Sequence, residues 1–504
     1  MAASLRGFHG VCRVVPPRSS WNCPPKKCWF SSTVVGTSLE IEKGTKETVE
    51  YPPIKPKYPE GSWGKTDRSY AWMWHSLKGE VLSIPKVSDR QNILLQKETD
   101  SVVLEPVNEH PSCLPFRQYV TKTHLIPWTS SKASSSSNLD HSPHSADLHD
   151  NLHSEHVESI VERIKQVVSE HLITENELVA REQTHPSKHN SFRCKLLFRC
   201  ISDAITTHAW KDYEHLRMCQ YDEDVIVRAL WHRIGIEREK QEGDLEYSTR
   251  EDMLDIISKM DQTVMSKIVF DAMLRHHHPL PQVKSRHNEL CTSTPAPELL
   301  YGTSSYGHSH SPRQQLKSIS AGHKLGDPCE FGMLGFLSTC ETNELEEKYN
   351  RTVAEQSRLA LGLTSSFTWL AAQTFNQGFS DVVDMTYPLT CQTVLSDGRS
   401  FSFLMYQLNT LELWQDNDAN GLVNLCWHTP EMPLYHSIDN GQVRELNEDV
   451  IRRLVQMFLL SPVERDYDMK PTVTDKDTDL HLKQDFIPER VIVEKIIREE
   501  QYIV

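Results

Sequence analysis

The sequence predicts an α+β protein: an antiparallel sheet late in the chain packed with amphipathic helices, plus an extended N-terminal segment and disordered insertions. Three observations carry this reading. Residues 389–395 and 400–408 flank Asp397-Gly398, a dipeptide that accepts the positive φ of tight hairpin turns. Residues 157–172 and 450–459 repeat apolar side chains at steps of three and four, as a helix with one buried face requires. Residues 130–153 and 283–324 are rich in Ser, His, Pro or Gly and offer little to bury.

Taken from the start, residues 1–39 contain no acidic side chain, while Arg6, Arg13, Arg18, Lys26 and Lys27 alternate with Ser, aliphatic and aromatic residues. This is the composition of a mitochondrial transit peptide, and Arg13, Pro16 and Pro17 interrupt the apolar run that a secretory signal needs. Pro52, Pro53, Pro56 and Pro59 make the next stretch extended, and residues 40–129 as a whole read as an extended, partly ordered segment with weak periodicity. The Ser/His-rich insertion 130–153 follows. The region 154–282 is the first half of the α+β domain. It opens with a helix carrying Val157, Ile160, Val161, Ile164, Val167, Val168 and Leu172, continues with a helix over 196–210, and reaches a strand over 225–234 marked by Val225, Val227 and Ile234.

After the low-complexity insertion 283–324, the region 325–462 forms the second α+β part. A long helix begins near Glu341, with an interruption expected at Gly362 and a stop at Gly378. The hairpin comes next, and 423–427 adds a third antiparallel strand. Asn447 then caps a helix whose first turn holds Glu448 and Asp449, favourable to the helix dipole, and whose apolar face holds Val450, Ile451, Leu454, Val455, Phe458 and Leu459. The helix ends before Pro462. Residues 463–504 are a charged C-terminal tail, in which 489–497 reads as a short helix or strand for docking on a partner.

Composition narrows the function. At 504 residues the chain can bury a real core, and its formal charge of -15 argues against wrapping nucleic acid by itself, because affinity for a polyanion comes from Lys and Arg. Contact with RNA would be local. A mean hydropathy of -0.50 and the lack of an apolar run of about 18 residues exclude membrane insertion through a helix. The twelve cysteines lack short regular spacings and fit free thiols in a reducing compartment.

No candidate chemistry survives weighing. His276, His277 and His278 are consecutive and cannot all converge on one ion. His308, His310, His141, His144, His149, His153 and His156 lie in or beside the insertions, where fixed ligand geometry is not supplied. Cys23 and Cys28 fall in the transit peptide, and Cys329 after Asp327-Pro328 reads as a buried thiol at a turn. P-loop, dinucleotide-binding, zinc-protease and nucleophile-elbow signatures are missing. Trp369, Phe375, Phe379, Phe401, Phe403 and Trp427 have the chemistry to stack bases, but their spacing is that of core residues. The sequence therefore nominates no catalytic, cofactor-binding or metal-ligating residue, and no cofactor.

A resemblance enters between Ser366 and Pro462. Trp369-Leu-Ala-Ala-Gln373, Gln377-Gly-Phe379, Ser396-Asp-Gly-Arg-Ser-Phe-Ser-Phe403, Tyr406-Gln-Leu-Asn-Thr-Leu411, Asn424-Leu-Cys-Trp427 and Pro433-Leu-Tyr435, with Tyr51-Pro-Pro-Ile54 and Asp327-Pro-Cys329 upstream in the same order, resemble the programmed cell death protein 9 family of mitochondrial ribosomal proteins. That family was first counted as small-subunit protein thirty and is now placed in the large subunit as number sixty-five. Large-subunit mitochondrial protein thirty-seven, its sister, shares parts of the late pattern. The resemblance implies a structural constituent of the large mitochondrial ribosomal subunit in the matrix. Its implied partners are the sister protein, other mitochondrial ribosomal proteins and, locally, rRNA. It brings no catalytic residues, and residues 465–504 depart from its pattern. Two other classes stay open at this point: a ribosome-independent mitochondrial adaptor linked to apoptosis, and a matrix enzyme with dispersed catalytic residues such as Asp381, Asp384 and His428 around a pocket.

Overall fold

The computed structural model describes residues 79–128 apart from 80, 85, 97–99, 108–109 and 111–112, then 155–182, 190–234, 261–292, 310–312, 318–413 apart from 325 and 382, 421–466 and 469. The chain falls into two units, 1–55 and 56–504, and every described residue belongs to the second. The transit-peptide reading of 1–39, the proline-rich stretch 51–59, the insertion 130–153 and the segment 489–497 all lie outside the described residues.

In chain order the main elements are α1 (Val87–Gln96), β1 (Asp100–Leu104), α2 (Cys113–Val120), β2 (Thr123–Pro127), α3 (Glu155–Glu182), α4 (Asn190–Ala209), β3 (Gln220–Ile234) and β4 (Asp261–His276). They continue with β5 (His310–Pro312), β6 (Ser320–Ala321), β7 (Phe331–Ser338), α5 (Arg351–Asn376), β8 (Leu389–Ser396), β9 (Ser400–Leu408), β10 (Asn424–His428), β11 (Met432–Pro433) and α6 (Glu448–Leu459). The α+β class holds. The strands build one large sheet in the order β2-β10-β9-β8-β7-β4-β1-β5, with β3 along the other flank of β4.

Two features differ from the sequence reading. The sheet is mixed where an antiparallel one was expected: β1 runs parallel to β4, β2 to β10 and β7 to β8. The reason is visible at β7–α5–β8. A parallel pair needs a crossover connection, and the long helix α5 carries the chain back so that β8 starts again at the same end as β7. The strands are also not confined to the later part of the chain. β3 and β4, the two longest, pair antiparallel from Gln220↔Arg275 to Ile234↔Asp261, and β4 also borders β7 and β1. Periodicity in one strand reports its two faces and not its neighbours, so order and direction were invisible.

Helices cover both faces of the sheet. α1, α2 and α5 pack on one face with Trp231, Phe270, Leu395, Leu404 and Tyr406, while α3, α4 and α6 pack on the other with Phe336, Val394, Phe403, Met405 and Trp427. Successive residues of β9 thus alternate between two apolar cores, which explains why this strand is nearly continuous in hydrophobic residues. The amphipathic helices form as expected. Val157, Ile160, Val161, Ile164, Val168 and Leu172 of α3 are buried, as is the whole apolar face of α6, and the Asn447 side chain accepts the Asp449 amide at 3.1 Å.

The helix at 351–376 is continuous through Gly362, correcting the expected interruption. The glycine serves packing there: a Cβ would sit 2.8 Å from Leu395 Cδ1 and 2.9 Å from Leu404 Cδ2, so its absence lets α5 lie close on β8 and β9. Asn350 caps this helix by accepting the Val353 amide at 2.9 Å, and Gly378, with φ of +92°, ends it as expected. The predicted hairpin runs from Leu389↔Leu408 to Ser396↔Phe401. Gly398 carries the positive φ, and the Asp397 carboxylate accepts the amides of Arg399 and Ser400. Within 283–324, residues 310–312 pair with β1 and 320–321 with β3, so parts of this stretch join the sheet.

Candidate functional site

Of the residues weighed for chemistry, His276, Cys329, Asp381 and Asp384 are engaged in holding the fold, while Cys23, Cys28, His141, His144, His149, His153 and His308 lie outside the described residues. His276 ends β4 with its ring stacked on that of His277, centroids 4.0 Å apart, and its Nδ1 accepts the His278 amide at 2.9 Å. Burial, helped by the neighbouring imidazoles, lowers its pKa to about 4, so it is neutral at physiological pH. Among the described residues no group of three or more His, Cys, Asp or Glu side chains is placed to hold a metal. Cys329 sits where Asp327 shapes an Asx turn, its amide donating to Asp327 Oδ1 at 3.1 Å, and burial pushes its thiol pKa up. A protonated thiol is a poor nucleophile.

The acidic residues and histidine weighed as enzyme candidates are spread over separate structural contacts. Asp381 pairs with His232 of β3. Asp384 accepts the Thr410 hydroxyl and the Leu411 amide, both at 2.8 Å, with Arg286 at 3.5 Å; burial raises its pKa. His428 closes β10, where its carbonyl accepts the Trp128 amide at 2.7 Å. Three cavities of about 640, 680 and 430 Å³ are lined by other residues, and none of these three side chains reaches them.

All six aromatics weighed for base stacking are buried: Phe401, Phe403 and Trp427 at 0% exposure and Trp369, Phe375 and Phe379 at 7% or less. Trp369 packs beside Phe270 at 5.2 Å, and Phe198 beside Phe336 at 5.0 Å. They supply core, and none of them offers a face to a nucleotide.

What the sequence did not disclose is a buried polar clamp. Asn424 Oδ1 accepts the amides of Asn409 and Thr410 at 2.8 and 3.1 Å, while its Nδ2 donates to the carbonyls of Thr121 and Thr410 at 2.9 and 3.2 Å. Gln407 does the same for a different segment. Its Oε1 accepts the amides of Val283 and Lys284, and its Nε2 donates to the Lys284 carbonyl and to Asn409. Asn409 Nδ2 donates to the Val423 carbonyl at 2.7 Å. The amides thus bridge β10 to a segment 303 residues upstream and β9 to one 123–124 residues upstream, substituting side chains for backbone ladder where loops must be fixed. The only signal in the sequence was the grouping of amides in 406–411 and at Asn424, which reads as strand or loop without the partners.

A second buried device is Arg275, 2% exposed, which reaches Asp222 at 2.6 Å and Asp327 at 3.3 Å. Arg358 is similar, meeting Glu431 at 2.7 Å, Glu346 at 3.3 Å and the Thr342 hydroxyl at 2.8 Å. Such pairs fix geometry between elements more than they add net stability.

No helix among the described residues is long and apolar enough to cross a membrane. The family model described as mitochondrial 28S ribosomal protein S30 (PDCD9) matches residues 22–462, so it takes in the whole sheet, helices α1 to α6 and the clamp. That family implies a structural, non-enzymatic role in the mitochondrial ribosome, among its other proteins and rRNA. The chain belongs to the mitochondrial 28S ribosomal protein S30 (PDCD9) family.

Proposed function

We propose that the chain is a structural constituent of the large subunit of the mitochondrial ribosome in the matrix. It supports mitochondrial translation mainly through protein–protein contacts, with large-subunit protein thirty-seven as its sister partner and rRNA touched locally. The family match over 22–462 carries the ribosomal part of this reading. The large-subunit part is supported by the late sequence pattern, 366–462, which resembles that of the large-subunit sister, although the family description retains a small-subunit number. The formal charge of -15 supports protein surfaces as the main partners, since each phosphate neutralised needs a basic group. Residues 1–39 act in this scheme as an import segment and 463–504 as a charged arm.

Sedimentation of lysed mitochondria carrying a tagged copy tests it. The tag is expected to follow the large-subunit peak through moderate salt, and release at high salt only would measure an ionic RNA component. A tag in the small-subunit peak would overturn the subunit assignment, and a tag only at the top of the gradient would overturn the ribosomal placement.

A further inference from the structure

We propose that the flank of β4 between the ends of β1 and β7 is a binding slot for an extended segment of a neighbouring ribosomal protein, which joins the sheet there as a short strand. β3 covers one flank of β4 along nearly its whole length. On the other flank β1 pairs only as far as Leu104↔Ser266, and β7 only from Ala272↔Phe336. Residues 267–271 therefore have no strand beside them on that flank among the described residues. Alternate residues of an antiparallel strand direct their N–H and C=O groups to the same flank, so part of this backbone points into the gap. Five strand residues at about 3.3 Å each give a slot about 16 Å long, which matches a few residues of extended chain.

The gap is the cavity of about 640 Å³, and its buried floor is apolar, formed by Leu104, Met265, Ile268, Leu337 and Leu361. Ser266 lines it too at 1% exposure, and the Ser266 hydroxyl has no hydrogen-bond partner. A buried polar group left in that state is costly, and a ligand bringing a polar backbone completes it. At the mouth Val269 is 46% exposed beside its cross-strand neighbour Ile226 at 39%, and Phe192 and Leu196 of α4 are exposed next to Ser191 and Lys195 of the lining. Exposed apolar side chains gathered at a charged rim mark a protein contact.

Charge selects polypeptide over RNA. Glu105, Asp271 and Glu341 line the cavity against Lys195 and Lys267, and Lys195 is already held between Asp224 and Asp271. This leaves no basic footprint for phosphate. The Asp271 carboxylate also accepts the Ser338 amide and so closes the β7 end of the slot. A bound segment offers amides and carbonyls to the open flank of β4, an apolar side chain to the floor and a polar group to Ser266, the division of labour by which a sheet edge recognises a strand.

The inference rests on the ribosomal placement, and its test keeps the two apart. Amide hydrogen exchange across 267–271 is compared between the full-length chain alone and the sedimented particle. The slot-facing amides are expected to slow by about tenfold or more in the particle, roughly what one net backbone hydrogen bond supplies, while those bonded to β3 are slow in both. A p-benzoylphenylalanine in place of Val269 is expected, on irradiation of the particle, to join one contiguous stretch of a neighbouring mitochondrial ribosomal protein. Joining instead to rRNA, to a second copy of this chain or to another part of the same chain would overturn the slot. Val269→Glu, at an exposed position, should abolish the slowing and leave the urea midpoint of the chain alone unchanged. Unslowed exchange in a chain that sediments with the large subunit overturns the slot and leaves the ribosomal placement standing, whereas a chain found only at the top of the gradient overturns both.

Discussion

Replacing Asn424 by alanine removes four hydrogen bonds at once and tests whether the amide clamp holds this sheet together. The substitution leaves the amides of Asn409 and Thr410 and the carbonyl of Thr410 without their partner in a site of 0% exposure, while the Thr121 carbonyl keeps the Thr123 hydroxyl. Each orphaned buried group costs about 1–3 kcal/mol, and entry of water into the vacated space recovers part of that, so we expect a loss of about 3–5 kcal/mol. Urea denaturation of the full-length chain, followed by tryptophan fluorescence and far-ultraviolet circular dichroism, reads it. With a slope of roughly 3 kcal/mol/M the midpoint falls by about 1–1.7 M. Asn424→Asp separates hydrogen bonding from volume. It keeps the size of the side chain but turns a carboxylate toward two carbonyls, so it should destabilise at least as much as alanine. Arg452→Ala is the reference, since its pair with Glu158 at 3.0 Å lies at the surface and contributes about 0–1 kcal/mol. A midpoint for Asn424→Ala no lower than that of Arg452→Ala would refute the clamp.

Three further outcomes follow from the same structure. Asn447→Ala removes the cap of α6 and should cost about 1 kcal/mol, readable in the same titration, with Asn447→Gly costing only a few tenths. Trp427→Ala should cost about 3–5 kcal/mol by opening a cavity against α6, yet leave the salt dependence of ribosome association unchanged, because the ring faces the core and not RNA. Stability should fall as pH drops from about 6.5 toward 4. Burial depresses the folded-state pKa of His276 to about 4 and lowers those of His215 and His323, so the neutral forms favour the fold above the unfolded value of 6.5 and protonation on acidification favours unfolding. His276→Gln should flatten part of that acid limb in thermal melts taken across the range.

The buried aromatics and amides clarify why the late region bears the family pattern. Trp369 rests where Gly332 and Gly335 of β7 provide the room; a Cβ at Gly335 would stand 2.6 Å from Phe270 and 3.1 Å from Trp369. Gln407, Asn409 and Asn424 fix segments remote in sequence. The buried motif residues thus describe one packing solution.

What the sequence determined by itself was local. Apolar spacing set α3 and α6, Asn447 and Gly378 set helix ends, Asp397-Gly398 set the hairpin, and β-branched residues set the strand at 225–234, because each depends on neighbours a few residues away. Tertiary structure alone decided that β7 and β8 are parallel, that Gly362 is a contact and not a break, and that Asn424 joins residues 121 and 410. Each of these depends on which distant segments the packed helices bring together, and pattern along one chain contains no record of that distance.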